Sequence, residues 1–594
     1  GDKVSLHAGQ DVNVTGSNVV GSNDVDIKAQ GDVHITPAEE SQKEKHFSKV
    51  EAKGIFGSGF GFVIGKQTTT EKQDVQSKMQ AGSTVGSVTG NVNIAAGQNL
   101  QVEGSNIVAG KDINMSGAKV DIQAAEETYD SQYRYDYSLQ GLTVSVGGGA
   151  VEKGQKVIGS LERAHQVKDK RLSALYGVKA IQDAANIGLK KNKEFSINVG
   201  IGSYKEAMNS DTTIKAAKES SIQAGGDVQI KATAQDINVV GSTVSGNNIT
   251  LEAAENVNIQ ATENSFTNET DTSSTSVGAG ITLSPNTPSG LYVSAGKSRE
   301  DQNTTKTTHT PSTITAQDKL TIKSGKDTNI VGSQVKGDRV EAQVGGNLNL
   351  ESLQDTESYK EKSAQASVNI GVGTATVGAS AGKMTSDYSS VTSQAGIYAG
   401  KEGFDINVKG NTDLKGAVID SKGEPIGDGS KLAQEKNTLT TGTITYGDIK
   451  NEAEYDAKGV GLSYDKKATQ DKNEKLGNKG VIPAIPMGTG EKDSSTTRSA
   501  VAPGTIEIKN KDKQKQDIAG LSRDTDNTLN KLDPIFNKDK VRERQELAGL
   551  FSELAFKQIH NMKNCSNEQR AILHSAVGLV SAALAKSNLP ANAL

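Results

Sequence analysis

The stretch VGSTVSGNNITLEAAENVNIQA, Val240–Ala261, decides the fold of this chain. Its apolar residues come in pairs that are separated by one polar residue: Ile249 with Leu251, and Val257 with Ile259. This alternation is the period of a β-strand and predicts strands of about three to five residues. Turn-forming glycine and asparagine residues fill the gaps between the pairs. The chain therefore changes direction about every eight to ten residues.

The same pattern recurs along the chain at a spacing of about 20 or 21 residues, the period of a solenoid of very short strands. Equivalent positions are Val12 with Val33, Val92 with Ile113, Ile230 with Leu251, and Ile330 with Leu350. Each further copy of the pattern begins with a glycine, at Gly16, Gly104 and Gly332, and at Gly416 in the weakest copy. Stacked coils bury side chains that one coil leaves exposed. We therefore predict an all-β parallel β-helix of roughly ten coils over residues 1–445.

Composition agrees with a narrow solenoid interior. The 594-residue chain has no tryptophan, 4% aromatic residues and 64 glycines. Its charges are mixed and sum to only -5, which argues against disorder of the repeats. A single cysteine, Cys565, excludes an internal disulfide framework. The chain begins inside a strand pattern without an initiating Met or a signal peptide, so we expect a fragment of a longer protein.

Long insertions separate the repeat blocks, at about residues 36–82, 126–220, 262–312 and 354–392. Each has polar runs on both sides of a glycine-rich alternating stretch, such as ASVNIGVGTATVG, and predicts a β-hairpin that projects from the shaft. The second insertion also contains SLERAHQVKDKRLSALYGVKAIQDAANIGL, whose apolar spacing predicts an amphipathic helix.

The repeat pattern of short strands ends after the last repeat. Residues 446–516 predict one last hairpin, formed by TITYGDIKNEAEYDAKGVGLSY and VAPGTIEIKNKD, with NKGVIPAIPMGTGEKDSSTT as a linker. Residues 517–594 predict a helical region. The first helix has a stripe of apolar residues that is expected to be buried. The second helix begins with a capping box from Ser566 to Gln569. It is apolar nearly all round, so we expect it to be buried against its neighbour. The stripe consists of Val541, Leu547, Leu550, Phe551, Leu554 and Ile559.

These residues resemble a known family. The phrases AGQDVNVTGSNVVGSNDVDIKAQGDVHI, AGKDINMSGAKVDIQAAEE and ALYGVKAIQDA, and above all TTRSAVAPGTIEIKNKDKQKQDIAGLSRDTDNTLNKLDPIFNKDKV, are similar to the second haemagglutinin-repeat region of filamentous-haemagglutinin and contact-dependent growth inhibition exoproteins. The resemblance covers essentially the whole chain and implies a right-handed helix, two-partner secretion and, for residues 517–594, the start of a pretoxin region. The family's amino-terminal secretion domain, Val-Glu-Asn-Asn landmark and toxin domain lie outside this sequence.

The sequence contains no pattern typical of catalytic, cofactor-binding or metal-binding residues, and it does not identify binding residues. The histidines lack metal-ligand spacing: His7, His34, His46, His165, His309, His560 and His574. Gly290–Ser298 has five residues between its glycines where a phosphate loop has four, and Gly57–Phe62 lacks the dinucleotide spacing. Cys565 has no base near it in the sequence. The shaft acids, such as Asp26, Asp112, Asp236 and Asp405, do not concentrate in one block.

The expected function is a non-catalytic extracellular shaft and delivery segment of a contact-dependent growth inhibition toxin. The resemblance implies an outer-membrane transporter and a target-cell surface as partners, no nucleic acid, and an immunity protein that binds the toxin domain rather than this chain. One alternative is a haemagglutinin-type adhesin without a toxin; a remote one is a β-helix enzyme that degrades polysaccharide.

The hairpins either contact each other and an outer membrane or simply pack along the shaft. In the first case, deletion of Lys49–Met79 lowers toxin entry.

Overall fold

The computed structural model describes residues 2–58, 61–147, 149–188, 196–284, 289–372, 374–421, 436–465, 481–562 and 566–586. Short parallel strands form a β-helix, long antiparallel strands form a separate sheet, and four helices lie beside that sheet. The parallel β-helix with hairpin insertions that the sequence predicts is confirmed.

The strands of the first half are β1 (Val4–Ala8), β2 (Val12–Thr15), β3 (Asn18–Gly21), β4 (Val25–Ala29), β5 (Val33–Thr36), β6 (Ala38–Ser58), β7 (Gly61–Ala81), β8 (Thr84–Ser87), β9 (Val92–Ala96), β10 (Asn99–Glu103), β11 (Asn106–Ala109), β12 (Ile113–Gly117), β13 (Lys119–Gln123), β14 (Ala125–Gly147), β15 (Ser196–Lys218), β16 (Ser221–Ala224), β17 (Val228–Ala232), β18 (Ile237–Val240), β19 (Thr243–Gly246), β20 (Ile249–Ala253) and β21 (Val257–Gln260).

The remaining strands are β22 (Thr262–Leu283), β23 (Gly290–Thr310), β24 (Thr313–Ala316), β25 (Lys319–Ser324), β26 (Thr328–Val331), β27 (Gln334–Val344), β28 (Leu348–Glu351), β29 (Gln354–Gly371), β30 (Thr374–Val391), β31 (Gly396–Val408), β32 (Asn411–Lys415), β33 (Val418–Ser421), β34 (Thr438–Thr441), β35 (Thr443–Gly447), β36 (Ile449–Asp465), β37 (Val481–Thr497), β38 (Ala500–Val501) and β39 (Thr505–Ile508). The helices are α1 (Gly149–Gln166), α2 (Lys170–Gly188), α3 (Lys538–Asn561) and α4 (Asn567–Lys586).

Each coil of the shaft has three faces, as β19, β20 and β21 show. One face is a 10-stranded parallel sheet that runs from β2 to β35. The other two faces belong to one 19-stranded sheet, because the long strands β27 and β31 turn the corner between them. Ten stacked strands on the first face correspond to the predicted ten coils.

The predicted strand register is confirmed. Ile249, Leu251, Val257 and Ile259 are all fully buried in the shaft interior. The positions that the sequence aligns at 20 or 21 residues are direct neighbours in the sheets, as in the pairs Val12 with Val33 and Ile330 with Leu350. Stacked Val, Ile and Leu side chains thus form one continuous core along the shaft.

Outward-facing asparagines lie between these apolar residues, as predicted. Their side-chain amides donate to the preceding coil, at 2.9 Å from Asn114 to Asn93 and 2.8 Å from Asn349 to Asn329. The outward positions are Asn13, Asn93, Asn114, Asn238, Asn258, Asn329, Asn349 and Asn407, and none of them is buried. The longest ladder passes from Asp121 through Asn238, Asn258 and Asn329 to Asn349.

The hairpins leave the shaft at one corner and only in every second coil. They follow β5, β13, β21, β28 and β35, whereas a tight glycine turn closes that corner after β2, β10, β18, β26 and β32. At Gly241 the backbone has a φ of 55°, and a Cβ would lie 2.4 Å from Thr262, the first residue of the neighbouring hairpin. Glycine is required there because an L side chain fits neither the φ nor the space.

The hairpins pair with one another. Strands β6, β7, β14, β15, β22, β23, β29, β30, β36 and β37 form one 10-stranded antiparallel sheet, called here the hairpin sheet. Neighbouring strands lie about 4.8 Å apart both in the shaft and in this sheet. Two coils therefore advance by about the width of one two-stranded hairpin. This match of pitch explains why a hairpin follows every second coil.

Two expectations for residues 446–536 are wrong. The last hairpin pairs β36 with β37, so the proline-containing stretch that predicted a linker is a strand, and β38 and β39 stack on the shaft instead. Pro483 and Pro486 are tolerated because β37 is at the edge of the sheet. The stacked strands thus continue beyond residue 445, to Ile508. From Asp517 the chain forms only a short 3-10 turn and irregular segments before α3 begins at Lys538.

The inserted helical segment of the second hairpin forms two helices, α1 and α2. The predicted stripe of α3 packs inward, with Leu547 and Val541 almost fully buried. The capping box of α4 is present, since the Gln569 amide donates to Ser566 Oγ at 3.1 Å and the Ser566 amide to Gln569 Oε1 at 3.0 Å. The expectation that α4 is buried is wrong, because it packs through Leu584 and leaves Ile572 and Leu579 exposed.

Candidate interaction surface

The two faces of the hairpin sheet have different surroundings. Side chains alternate between the faces along each strand, so the pairing register assigns each residue to one face. One face, called here the helix face, carries Tyr359, Met384 and Tyr455, which pack against Val541 of α3. No helix packs in this way against the opposite face within the described residues, and it is called here the open face.

A row of apolar residues crosses the open face from strand to strand. Cross-strand pairs connect Ile55, Ile64, Leu142, Ile201, Ala279, Val293 and Ile370 in that order. Neighbouring rows on the same face add further exposed apolar residues, and together these residues are called here the apolar band. Its large members are Ile55, Phe62, Ile64, Leu142, Ile201, Val277, Ile281, Leu283, Leu291, Val293, Ile370, Val377, Val460 and Leu462.

The apolar band is exposed to an unusual degree. Ile201 is 72% exposed and Leu291 75% exposed. From Val277 to Leu283 the band extends along β22 for about 20 Å, at about 3.4 Å per residue. Across nine strands, which are spaced about 4.8 Å apart, it extends for over 30 Å. A contiguous apolar patch of several hundred Å² marks an interaction surface on a soluble protein.

The part of the open face nearer the shaft is polar. Arg134 binds Asp211 through two hydrogen bonds of 2.7 and 2.9 Å, and Thr68, Thr70 and Ser138 lie between this pair and the apolar band. A concave region of about 1010 Å³ lies at the edge of the apolar band, lined by Ile64, Ile201, Val277 and Val293 together with glycines of the alternate rows. Polar and apolar surfaces are therefore segregated along the hairpins, with the apolar part toward their tips.

An ion-pair cluster holds α3 against the helix face. Arg542 and Lys538 lie 3.0 and 3.1 Å from the Glu361 carboxylate, whose side chain is only 4% exposed. Burial raises the pKa of Glu361, but hydrogen bonds from Tyr359 and Arg542 outweigh burial and leave that pKa below its ordinary value. The carboxylate is therefore charged at neutral pH and fixes the start of α3.

A second cluster joins α3 to the inserted helices. Arg163 of α1 binds the Glu546 carboxylate in a bidentate pair of 2.6 and 2.9 Å, and the Tyr176 hydroxyl of α2 donates to the same carboxylate. Burial raises the pKa of Tyr176, and the hydrogen bond to Glu546 adds to that rise. The helices thus form one layer on the helix face.

The residues that the sequence singled out lie far apart. His34 contacts Gln101 on the shaft, His309 contacts Asp355 at the base of a hairpin, and His574 stacks on Phe556 in the helical layer. His7 lies in β1, His46 in β6, His165 in α1 and His560 in α3, and Cys565 lies outside the described residues. In the described part of the chain, no three His, Cys, Asp or Glu residues are grouped to hold a metal ion.

The glycine-rich stretches belong to the hairpin sheet. Gly290–Ser298 is the first part of β23, and Gly57–Phe62 connects β6 to β7 around Gly59 and Phe60, which the structure does not describe. Neither stretch precedes a helix N-terminus, so neither has the geometry of a phosphate loop.

Aspartates at the shaft corners have a role that the sequence analysis missed. Their carboxylates accept backbone N–H groups of the next coil, as Asp112 does from Asp227 at 2.9 Å and Asp236 from Asn256 at 2.8 Å. Asp26 binds Lys3 at 2.8 Å, and Asp405 lies 3.8 Å from Arg339. The recurrent Asp or Asn before each inward strand pair was the available signal.

A family model described as "Hemagglutinin repeat" matches residues 1–132, 64–197 and 199–366. The chain belongs to the hemagglutinin-repeat family. Its stacked coils form the shaft of a contact-dependent growth inhibition type of exoprotein, the class to which the relatives belong.

The curated relatives are much longer than this chain. It is 31% identical to "tRNA nuclease CdiA" of Yersinia mollaretii over 96% of this chain and 20% of the relative. It is 32% identical to "Deoxyribonuclease CdiA" of Yersinia pseudotuberculosis over 92% of this chain and 52% of the relative, and 30% identical to "Toxin CdiA" of Escherichia coli over 93% and 19%. No solved structure matches this chain. Among the described residues, every helix is too short or too polar to cross a membrane.

Proposed function

We propose that this chain is the non-catalytic shaft and delivery segment of a contact-dependent growth inhibition toxin, and that its hairpin sheet contacts the target-cell outer membrane. The observation that carries this proposal is the apolar band, which the shaft presents on one open face. The relatives' names support it. They specify a tRNA nuclease and a deoxyribonuclease, yet both relatives match along this same segment. A part shared by proteins with different named activities suits delivery better than catalysis.

The partners follow from this role. An outer-membrane transporter of the two-partner type exports the protein to the bacterial surface, where the shaft holds the hairpin sheet toward a target cell. Residues 517–594 correspond to the start of the pretoxin region, and a toxin domain and its cognate immunity protein act elsewhere than on this chain. The shaft carboxylates support the absence of catalysis, since those at the corners already accept backbone hydrogen bonds.

A triple substitution tests the role of the apolar band in the full-length secreted protein. Ile201→Asn, Leu291→Asn and Ile370→Asn remove three exposed apolar side chains on separate hairpins. The matched control replaces three exposed valines of the shaft: Val20→Asn, Val88→Asn and Val108→Asn. We expect normal secretion of both variants, and loss of target-cell growth inhibition only in the first.

The same experiment separates delivery from adhesion. Attachment to target cells, measured by flow cytometry of mixed labelled populations, is expected to persist in the band variant while growth inhibition is lost. Loss of attachment in parallel with inhibition supports the adhesin alternative. Full growth inhibition by the band variant contradicts the proposal.

A further inference from the structure

Lysines follow the border of the apolar band on its shaft side. The border runs obliquely across the open face, and each lysine takes the position where the apolar residues of its strand give way to polar ones. These lysines are Lys53, Lys66, Lys205, Lys297, Lys362, Lys383 and Lys458, on seven of the ten strands.

Three of these lysines lie directly opposite one another. Lys362 pairs with Lys383, and Lys383 pairs with Lys458, on three adjacent strands of the open face. Like charges directly opposite in a sheet destabilise it, so this row costs stability unless an anion lies over it. Carboxylates flank the row on both sides: Asp301 is directly opposite Lys362 and binds Arg299 at 2.6 Å, and Asp456 binds Lys458 at 2.5 Å.

Most of the border lysines form no ion pair with a described residue. Among the described residues, Lys53, Lys205, Lys297, Lys362 and Lys383 form no ion pair, whereas Lys66 binds Glu51 and Lys458 binds Asp456. The border is thus a line of exposed, largely unpaired ammonium groups beside an exposed apolar surface.

We propose that the lysine border binds the phosphate groups of an anionic lipid surface while the apolar band contacts the acyl chains. This inference rests on the proposed function and deepens it by naming the lipid chemistry. A free phosphate or an acidic polysaccharide neutralises the charge of the lysines but leaves the apolar band exposed to water. Only an amphiphile with an anionic headgroup satisfies both surfaces at their observed spacing.

The dimensions agree with contact at one leaflet. The band is about 20 Å tall, whereas the hydrocarbon core of a bilayer is about 30 Å thick. α3 packs against the opposite face at β29, β30 and β36, and one apolar face next to basic residues is the arrangement of an interfacial element that lies on a membrane. A second copy of this chain is a poorer occupant, because its lysine border adds more positive charge.

Vesicle binding of the purified 594-residue chain tests the proposal. The probes are vesicles of phosphatidylcholine alone and vesicles of equal parts phosphatidylcholine and phosphatidylglycerol. The variant carries Lys362→Gln, Lys383→Gln and Lys458→Gln. The control carries Lys28→Gln, Lys111→Gln and Lys409→Gln, three exposed shaft lysines without an ion pair among the described residues, so both variants lose the same charge.

We expect the unmodified chain to prefer the anionic vesicles and to release them as salt rises. A lysine near an anionic surface strengthens binding about five-fold, so the border variant binds these vesicles roughly 100-fold more weakly. The shaft variant binds like the unmodified chain. Equal binding to both kinds of vesicle, or unchanged binding of the border variant, overturns the inference. So does a dimer that depends on the apolar band and binds no vesicle.

The two proposals fail in distinguishable ways. If the border variant binds anionic vesicles normally while the band variant of Ile201, Leu291 and Ile370 still loses growth inhibition, the lysine inference is wrong and the proposed function stands. If both variants inhibit target cells fully, the proposed function is wrong whatever the vesicles show.

Discussion

Single polar residues fix how the coils of the shaft stack. The outward-facing asparagine amides donate hydrogen bonds to the preceding coil when the coils are in register, and a slip by one residue would point these amides into the core. The sequence predicts this pattern because each asparagine lies between two apolar residues. The role of the corner aspartates is not evident from the sequence, because their carboxylates accept hydrogen bonds from backbone groups of the next coil, which only the fold brings close.

Substitution of one ladder asparagine tests this account. Asn258 donates to Asn238 and accepts from Asn329, both at 2.7 Å. We expect Asn258→Ala to lower the free energy of unfolding by about 1–2 kcal/mol, the range for two partly exposed hydrogen bonds. The measurement is the shift of the urea midpoint. Asn13→Ala, at an exposed position of the edge strand β2, is the control and is expected to shift the midpoint little.

The hairpins are the elements that the sequence predicts only in part. Their alternating stretches and polar flanks show where they lie. Their pairing into one sheet was not predicted, because it depends on the match between two coils and one hairpin, which no local pattern contains. The sequence does not predict β37 for a similar reason: Pro483 and Pro486 disfavour a central strand but not an edge strand, and the edge position depends on how the hairpins pair.

Removal of the first hairpin tests whether the hairpins are independent of the shaft. Deletion of Pro37–Ala81 joins Thr36 to Gly82 and Ser83, which reproduces the hairpin-free corner Thr15-Gly16-Ser17. Because β6 and β7 are at one edge of the hairpin sheet, its other eight strands stay paired in one sheet and only β14 loses a partner. We expect normal secretion and circular dichroism with reduced growth inhibition. Unchanged inhibition here and in matching deletions of the other hairpins indicates that the hairpins only decorate the shaft.

The docking of α3 on the helix face is expected to depend on pH. The pKa of Glu361 is lower in the folded chain than the ordinary value of 4.5, so its contribution to stability is present above that value and is lost as pH falls through the folded pKa. Acid therefore releases α3. We expect Glu361→Gln to weaken docking at neutral pH by about 1.5–3 kcal/mol and to abolish most of the acid dependence.

Hydrogen exchange of residues 538–561, corrected for the intrinsic rate at each pH, measures this docking. Glu51→Gln is the control, because lysines also lower the pKa of Glu51 but it lies on the open face. An α3 segment that is equally protected at neutral and acidic pH contradicts the role of Glu361.

The whole molecule is a rod that keeps one large amphipathic sheet in a fixed orientation. The shaft has its apolar residues inside, the helical layer packs against part of one face of the sheet, and the apolar band remains exposed on the other. Contact with a target membrane through this band is the central claim of the account.

An environment-sensitive fluorophore at single cysteines measures that contact most directly. In a Cys565→Ser background, the label is placed at Ile201→Cys in the apolar band or at Val108→Cys on the shaft, and outer-membrane vesicles from target cells are added. We predict a blue shift and a gain in emission at position 201 and no change at position 108. Equal responses at both positions, or a response only on the shaft, contradict the claim that the hairpin sheet meets the target membrane.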